Sequence, residues 1–132
     1  MAEIRPLVMV VNDDEAMRDS LQFVLQLDGA EVRLHASGAA LLADPALPRA
    51  ACLVLKNHLP DIDGLEVLAQ VRARDLAAPA ILLTSVASPA LRRRAAKAGI
   101  WMVLEKPILD DALVDAVAVA LRGNSPALRE NT

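Results

Sequence analysis

Four polar clusters stand directly after apolar runs in this chain: Asn12-Asp13-Asp14-Glu15, Lys56-Asn57, Thr84-Ser85 and Glu105-Lys106-Pro107. Each has a simple reading when taken alone. Acids that follow a strand commonly cap the next helix and sit well against its dipole. A threonine often ends a strand, and a lysine before proline is usually solvated. Lys56 admits a sharper chemistry, because a lysine amine can act as a nucleophile or Schiff-base former where a dry pocket favours its neutral form. The single cysteine, Cys52, lies inside an apolar run and has no partner for a disulfide or a thiolate metal site.

The segments between these clusters say what must hold them. Pro6 to Val11 is an apolar, valine-rich run that ends at the acids, where helical spacing of Met17, Leu21, Val24 and Leu25 takes over until Asp28-Gly29. Glu31 to His35 predicts a short strand, Ser37 caps a short helix around Leu41 and Leu42, and the Pro45/Pro48 segment reads as a loop. Ala51 to Leu55 predicts a buried strand, and Asp63 can cap a helix running to about Arg74. Ala80 to Leu83 predicts a fourth strand, Ser88-Pro89 opens a helix that stops near Gly99, and Ile100 to Leu104 predicts a fifth strand. The last helix spans about Leu109 to Arg122, ahead of a polar tail. Five strands alternating with five helices require a parallel sheet covered on both faces, a doubly wound α/β fold, in which functional groups collect beyond the carboxyl ends of the strands.

Composition narrows the function. The 132 residues fit one domain, and no run approaches the roughly 20 apolar residues of a membrane span. The lone thiol and the absence of a signal-peptide core fit a reducing cytoplasm. A net charge of -3 with one Trp, one Phe and no Tyr offers neither the basic field nor the stacking rings of a nucleic-acid surface, so DNA binding by this domain alone is not expected.

The strand-end sequences Val11 to Glu15, Leu55 to Gly64, Leu83 to Ser85 and Leu104 to Pro107, in this order and spacing, resemble the receiver domains of two-component response regulators. The likeness is closest to receivers that precede a helix-turn-helix domain. It implies a CheY-like, flavodoxin-like five-stranded parallel sheet of order 2-1-3-4-5 with five helices. The receiver-like domain then covers residues 1–122, and residues 123–132 form a polar tail or the stump of a linker. In that family an acidic pair after the first strand holds Mg²⁺, an aspartate after the third accepts a phosphoryl group, and a Thr or Ser and a Lys contact its oxygens. By motif, Asp13 matches the second acid with Asp14 beside it, Asn12 falls on the first, and Thr84 and Lys106 match the phosphate contacts.

Counting four residues back from Pro60, the phosphoacceptor position is Lys56. A lysine cannot form an acyl phosphate, and its ammonium stands where Mg²⁺ needs oxygen ligands, so no metal or other cofactor is expected. Lys56 either points to solvent or pairs with Asp13, at a gross attraction on the order of 4 kcal/mol for about 4 Å and an effective dielectric of about 20. Val103 stands where the family usually carries a switching Tyr or Phe, and the family's Lys-Pro bond implies a cis peptide between Lys106 and Pro107.

Without a phosphate switch, output must come from a fixed surface. In the last helix Leu109, Leu113, Ala116, Val117 and Ala120 form one apolar side, and Val114, Ala118 and Leu121 form a second. The surplus predicts a protein partner or homodimer face through the fourth helix, fifth strand and fifth helix. Trp101 joins it, on the side of Val103 by strand alternation, and Arg92, Arg93 and Arg94 meet Asp110, Asp111 or Asp115 across the contact. The expected function is phosphorylation-independent signalling by protein contact, with control of transcription through a fused or separate effector, and no enzymatic role. Two other readings stand beside it: phosphorylation on another acid, Asp61 or Asp63, and lysine-dependent catalysis at Lys56.

Overall fold

The computed structural model describes residues 5–108 and 110–122. Five parallel strands, β1 (Leu7–Val11), β2 (Glu31–His35), β3 (Cys52–Lys56), β4 (Ala80–Thr84) and β5 (Met102–Glu105), form one sheet in the order β2-β1-β3-β4-β5. The connections are α1 (Glu15–Leu27), α2 (Gly38–Leu42), α3 (Gly64–Ala73) and α4 (Pro89–Ala98), and α5 (Asp110–Leu121) closes the fold. The expected doubly wound topology is therefore present. The tail 123–132 and Leu109 lie outside the described residues, as does the side chain of Asp110.

Alternation of side chains across the strands builds two cores from one apolar run. In β1, Leu7, Met9 and Val11 enter the layer under α2, α3 and α4, whereas Val8 and Val10 enter the layer under α1 and α5. β3 and β4 divide in the same way, with Leu53, Leu55 and Leu82 on the first side and Val54, Ile81 and Leu83 on the second. Strands buried on both faces need continuous hydrophobic sequence, and β1 and β4 have no exposed residue. Cys52 is part of this interior, and burial pushes its thiol up to about 12, leaving it inert.

Helix starts follow the sequence closely. The side chains of Asp14, Ser37, Asp63 and Ser88 each accept a hydrogen bond from the backbone N–H three residues on, satisfying donors that the helix itself leaves orphaned. Pro89 occupies the first turn of α4, and Gly99, at φ 89°, takes the left-handed conformation that ends it.

β5 departs from expectation at its start. It begins at Met102, and Trp101 lies in a bend before it, its N–H donating to the Ala80 carbonyl at 2.8 Å. Alternation thus does not carry across Trp101. It packs with Met102 and Leu104 in the α1/α5 layer, while Val103 packs into the α3/α4 layer, so the two residues face opposite sides of the sheet. The Pro45/Pro48 segment, read as loop, contains a single 3-10 turn at Leu47–Arg49.

Candidate functional site at the carboxyl ends of the strands

Backbone hydrogen bonds beyond the strand ends fix the site. Asn12 N–H donates to the His35 carbonyl (3.0 Å), Asn57 N–H to Leu83 (2.8 Å) and Lys106 N–H to Thr84 (2.8 Å), which ties each departing loop to the neighbouring strand. The loop after β3 then folds back, with Gly64 N–H donating to the Asn57 carbonyl at 2.9 Å. A Cβ on Gly64 would lie 2.5 Å from the Lys56 carbonyl oxygen, so only glycine lets α3 start against the end of β3.

Lys56 is thereby held at the mouth of the sheet, and its Nζ lies 2.6 Å from Asp13 Oδ1. The side chains are 21% and 38% exposed, which makes this a half-sheltered ion pair and leaves the solvent-pointing alternative unoccupied. The hydrogen bond from Lys56 is the largest influence on Asp13; it outweighs the opposing effect of burial and, with the nearby charge of Lys106, holds this carboxyl below its usual value.

The remaining pocket residues have separate tasks. Asn12 is buried at 1% exposure; its Oδ1 accepts from Asp14 N–H at 3.0 Å, and its Nδ2 has no hydrogen-bond partner among the described residues. Asp14 turns away from the pocket, because its carboxylate accepts from Met17 N–H as the cap of α1. Thr84 is buried, and its hydroxyl donates to the Val86 carbonyl at 3.1 Å and receives the Val86 N–H at 3.4 Å, so it is committed to the loop before α4. Lys106 is half-buried, and the Lys106–Pro107 peptide is cis.

The two other acids of the β3 loop are occupied as caps. Asp61 accepts from Gly38 N–H (3.2 Å) and Ala39 N–H (2.8 Å), bonds that pull its carboxyl below its ordinary value, the Ala39 bond most strongly. Asp63 accepts from Glu66 N–H at 2.9 Å.

The expected contact surface divides in two. Arg92, Arg93 and Arg94 are exposed on α4, on one side of the sheet. Val114 lies on the other side, lining a groove with Phe23, Val24 and Leu27 of α1. Ala118 and Leu121, at i+4 and i+7 from Val114, share its flank and are half-buried. Val114 thus meets α1, whereas Leu121 packs in the same layer as Trp101, Met102 and Leu104 at the β5 edge.

One polar cluster had no sequence signal. Asp44 is buried at 7% exposure between α2 and the 3-10 turn, where Oδ2 accepts from Arg33 Nε at 2.8 Å and Oδ1 from Ala46 N–H at 2.8 Å. Burial works against its charge, but these bonds outweigh it and the carboxyl stays below its ordinary value. His35 Nε2 approaches the same Oδ2 to 3.0 Å without hydrogen-bond alignment. Burial is the main reason its imidazole is harder to protonate than usual. The three side chains meet only because β2 and the turn after α2 are packed side by side, a relation that no local spacing announces.

A doubly wound parallel sheet with acid, hydroxyl and ammonium groups gathered at its strand ends defines a receiver-type signalling domain. The chain belongs to the response regulator receiver domain family, whose model matches residues 8–118. It is 35% identical over 125 residues to the C4-dicarboxylate transport transcriptional regulatory protein DctR of Rhodobacter capsulatus, covering 93% of this chain and 64% of that protein. It is 38% identical over 115 residues to the transcriptional regulatory protein FixJ of Azorhizobium caulinodans, covering 86% of this chain and 54% of the relative. The chain thus spans between half and two thirds of the length of these curated relatives. Among solved structures it is similar to the chemotaxis protein CheY4 of Vibrio cholerae, with a TM-score of 0.81, 25% identity and coverage of 89% of this chain and 99% of the other.

Proposed function

We propose that this receiver domain acts as a pseudo-receiver, a signalling module that works by protein contact without being phosphorylated. The observation that carries this reading is the 2.6 Å ion pair between Lys56 and Asp13. Phosphoryl transfer to a receiver needs a carboxylate nucleophile, a metal bridging it to the incoming phosphate, and a cation on the transferring oxygens. Lys56 supplies no nucleophilic carboxylate and engages the acid that matches the metal-binding pair, while Asn12 brings an amide in place of the other acid. The residues present do not fit Mg²⁺, which prefers carboxylate and water oxygens in octahedral array. An ammonium hydrogen-bonded to that carboxylate takes over the role of neutralising it.

The capping of α2 and α3 by Asp61 and Asp63 counts against either acid as a substitute acceptor. Lysine-dependent catalysis lacks support for the same reason as phosphorylation: the amine is bound to a carboxylate at a partly exposed mouth. The domain is read as non-enzymatic and cytoplasmic, and no helix among the described residues is long and apolar enough to cross a membrane. Transcriptional control through a fused or separate effector follows from the similarity to two transcriptional regulatory proteins. Output runs through α4, the β5 edge and α5, with the division of that surface described above.

Intact-mass measurement after incubation with acetyl phosphate and Mg²⁺ tests the reading. The expected result is no phosphoryl addition; an added phosphoryl group mapped to this pocket or to Asp61 or Asp63 overturns it.

A further inference from the structure

Among the described residues, three large apolar side chains are strongly exposed: Phe23 at 66%, Leu27 at 78% and Val86 at 67%. Phe23 and Leu27 belong to α1, on the α1/α5 face of the sheet, and Val86 belongs to the loop that leads into α4, which packs on the opposite face. Phe23 and Leu27 flank the α1/α5 groove, whose floor includes Val114 and which encloses about 340 Å³. Three acids, Asp28, Asp111 and Asp115, line the same groove, and none makes an ion pair among the described residues. A groove lined by apolar side chains and carboxylates suits an apolar knob carried between cations.

The second patch has that form. Val86 projects from the loop before α4, and it is held there rather than left loose. Thr84 bonds both its N–H and its carbonyl, and the next N–H, of Ala87, donates to Glu105 Oε2 at 3.0 Å. α4 itself, Pro-Ala-Leu-Arg-Arg-Arg-Ala-Ala-Lys-Ala, carries no acid. Arg94 and Lys97 line a groove with Asp63 and Glu66 of α3, so acids stand near these two cations. Arg92 and Arg93 are exposed on the helix that follows the Val86 loop, and neither makes an ion pair among the described residues.

From this complementarity, and resting on the contact-module reading above, we infer that a second copy of this chain is the occupant: Val86 of one molecule enters the α1/α5 groove of the next, with Arg92 and Arg93 against Asp28, Asp111 and Asp115. Pairing either patch with itself about a two-fold axis sets arginine on arginine or aspartate on aspartate, which disfavours an isologous dimer. Because α4 and the α1/α5 groove lie on opposite faces of the sheet, the contact is heterologous and propagates head to tail. One contact then covers all three exposed apolar side chains and joins the two halves of the divided surface.

Sedimentation velocity on the 132-residue chain tests this between about 10 µM and about 1 mM, the range of a small, transient contact. The weight-average mass should climb past that of a dimer with concentration and fall back in high salt. Two surface variants sharpen the test, each checked for native circular dichroism: Phe23→Ser/Leu27→Ser, which loses the groove, and Val86→Ser/Arg93→Glu, which loses the knob. Each should be monomeric alone, and an equimolar mixture should form dimers and nothing larger, because one intact groove and one intact knob remain. A parent chain that stays monomeric, variants that associate like the parent, or a mixture that stays monomeric overturns the inference. So does a monomeric parent whose groove instead binds a basic amphipathic peptide, which assigns the site to another protein. Association that appears only with acetyl phosphate and Mg²⁺ refutes the phosphorylation-independent reading instead, so the two failures are told apart.

Discussion

Removing the Lys56–Asp13 pair by Lys56→Met, Asp13→Asn and the double variant measures what the built-in ammonium contributes. At 2.6 Å the gross attraction is large, several kcal/mol even at an effective dielectric of about 20. Most of it is offset. Asp13 is 38% exposed and Lys56 21%, so water stabilises both ions when apart, and fixing a lysine side chain costs up to about 2 kcal/mol of rotamer freedom. Exposed pairs of this kind yield about 0.2–1 kcal/mol net, and the partial shelter here places the expected coupling near the top, at about 1 kcal/mol. For a domain of this size that is a Tm change of about 4 °C. Urea unfolding of the four proteins at pH 7 gives the coupling energy directly. Its pH dependence has a defined sign: the folded-state pKa of Asp13 is lowered, so its contribution is present above the unfolded value of about 3.9 and is lost as pH falls through the folded value. The coupling should therefore persist from pH 7 to pH 5, vanish in strong acid and weaken in high salt. A coupling indistinguishable from zero at pH 7 and low salt refutes the idea that Lys56 neutralises Asp13.

Restoring acids should restore metal binding: Lys56→Asp should gain measurable Mg²⁺ affinity by calorimetry, and Asn12→Asp added to it should improve that affinity by about tenfold through a further charged oxygen ligand. His35 should confer acid lability. Burial lowers its folded pKa, so the unfolded chain takes up its proton first and stability falls as pH drops below about 6.5; in urea titrations between pH 7 and pH 5 the parent should lose more stability than His35→Gln. Thr84→Val should remove the hydroxyl that holds the loop before α4, and hydrogen exchange should then show faster exchange of the Val86 amide with the Lys56–Asp13 pair undisturbed.

The fold was legible because its signals are local. Caps at Ser37, Asp63 and Ser88, the left-handed stop at Gly99 and the apolar runs of β1, β3 and β4 depend on neighbours in sequence, and the topology follows from their alternation. The site was legible in part, since strand ends must converge in a parallel sheet, which brings Asp13, Lys56 and Thr84 to one edge. Side-chain commitments were not. Whether Asp14 enters the pocket or caps α1, and where the Thr84 hydroxyl points, depends on rotamers that spacing does not encode. The same holds for Val114: its place in an amphipathic pattern is plain, but which of two neighbours that flank meets is a tertiary fact. Trp101 was misplaced because alternation was extended past the point where β5 begins.

On the proposed reading, in which Lys56 stands where a receiver carries its acceptor acid, the scaffold tolerates the lysine for a reason visible in the hydrogen bonds. The loops of the site are anchored by main-chain groups, namely Asn57 N–H on Leu83, Gly64 N–H on Asn57 and Lys106 N–H on Thr84, none of which involves the Lys56 side chain. That side chain can therefore change sign with only electrostatic consequences, which the ion pair with Asp13 absorbs. The loop before α4 is fixed independently of the pocket's charge, by Thr84 and Glu105. A threonine whose hydroxyl is bonded to Val86 at both carbonyl and N–H must break those bonds before it can turn toward anything bound at Lys56. Val103 is packed into the α3/α4 layer and has no ring to carry such a movement outward. On the proposed reading, signal at the pocket and shape at the surface are thus decoupled, because the bonds from Thr84 and Glu105 hold the Val86 loop without any contribution from the Lys56 side chain.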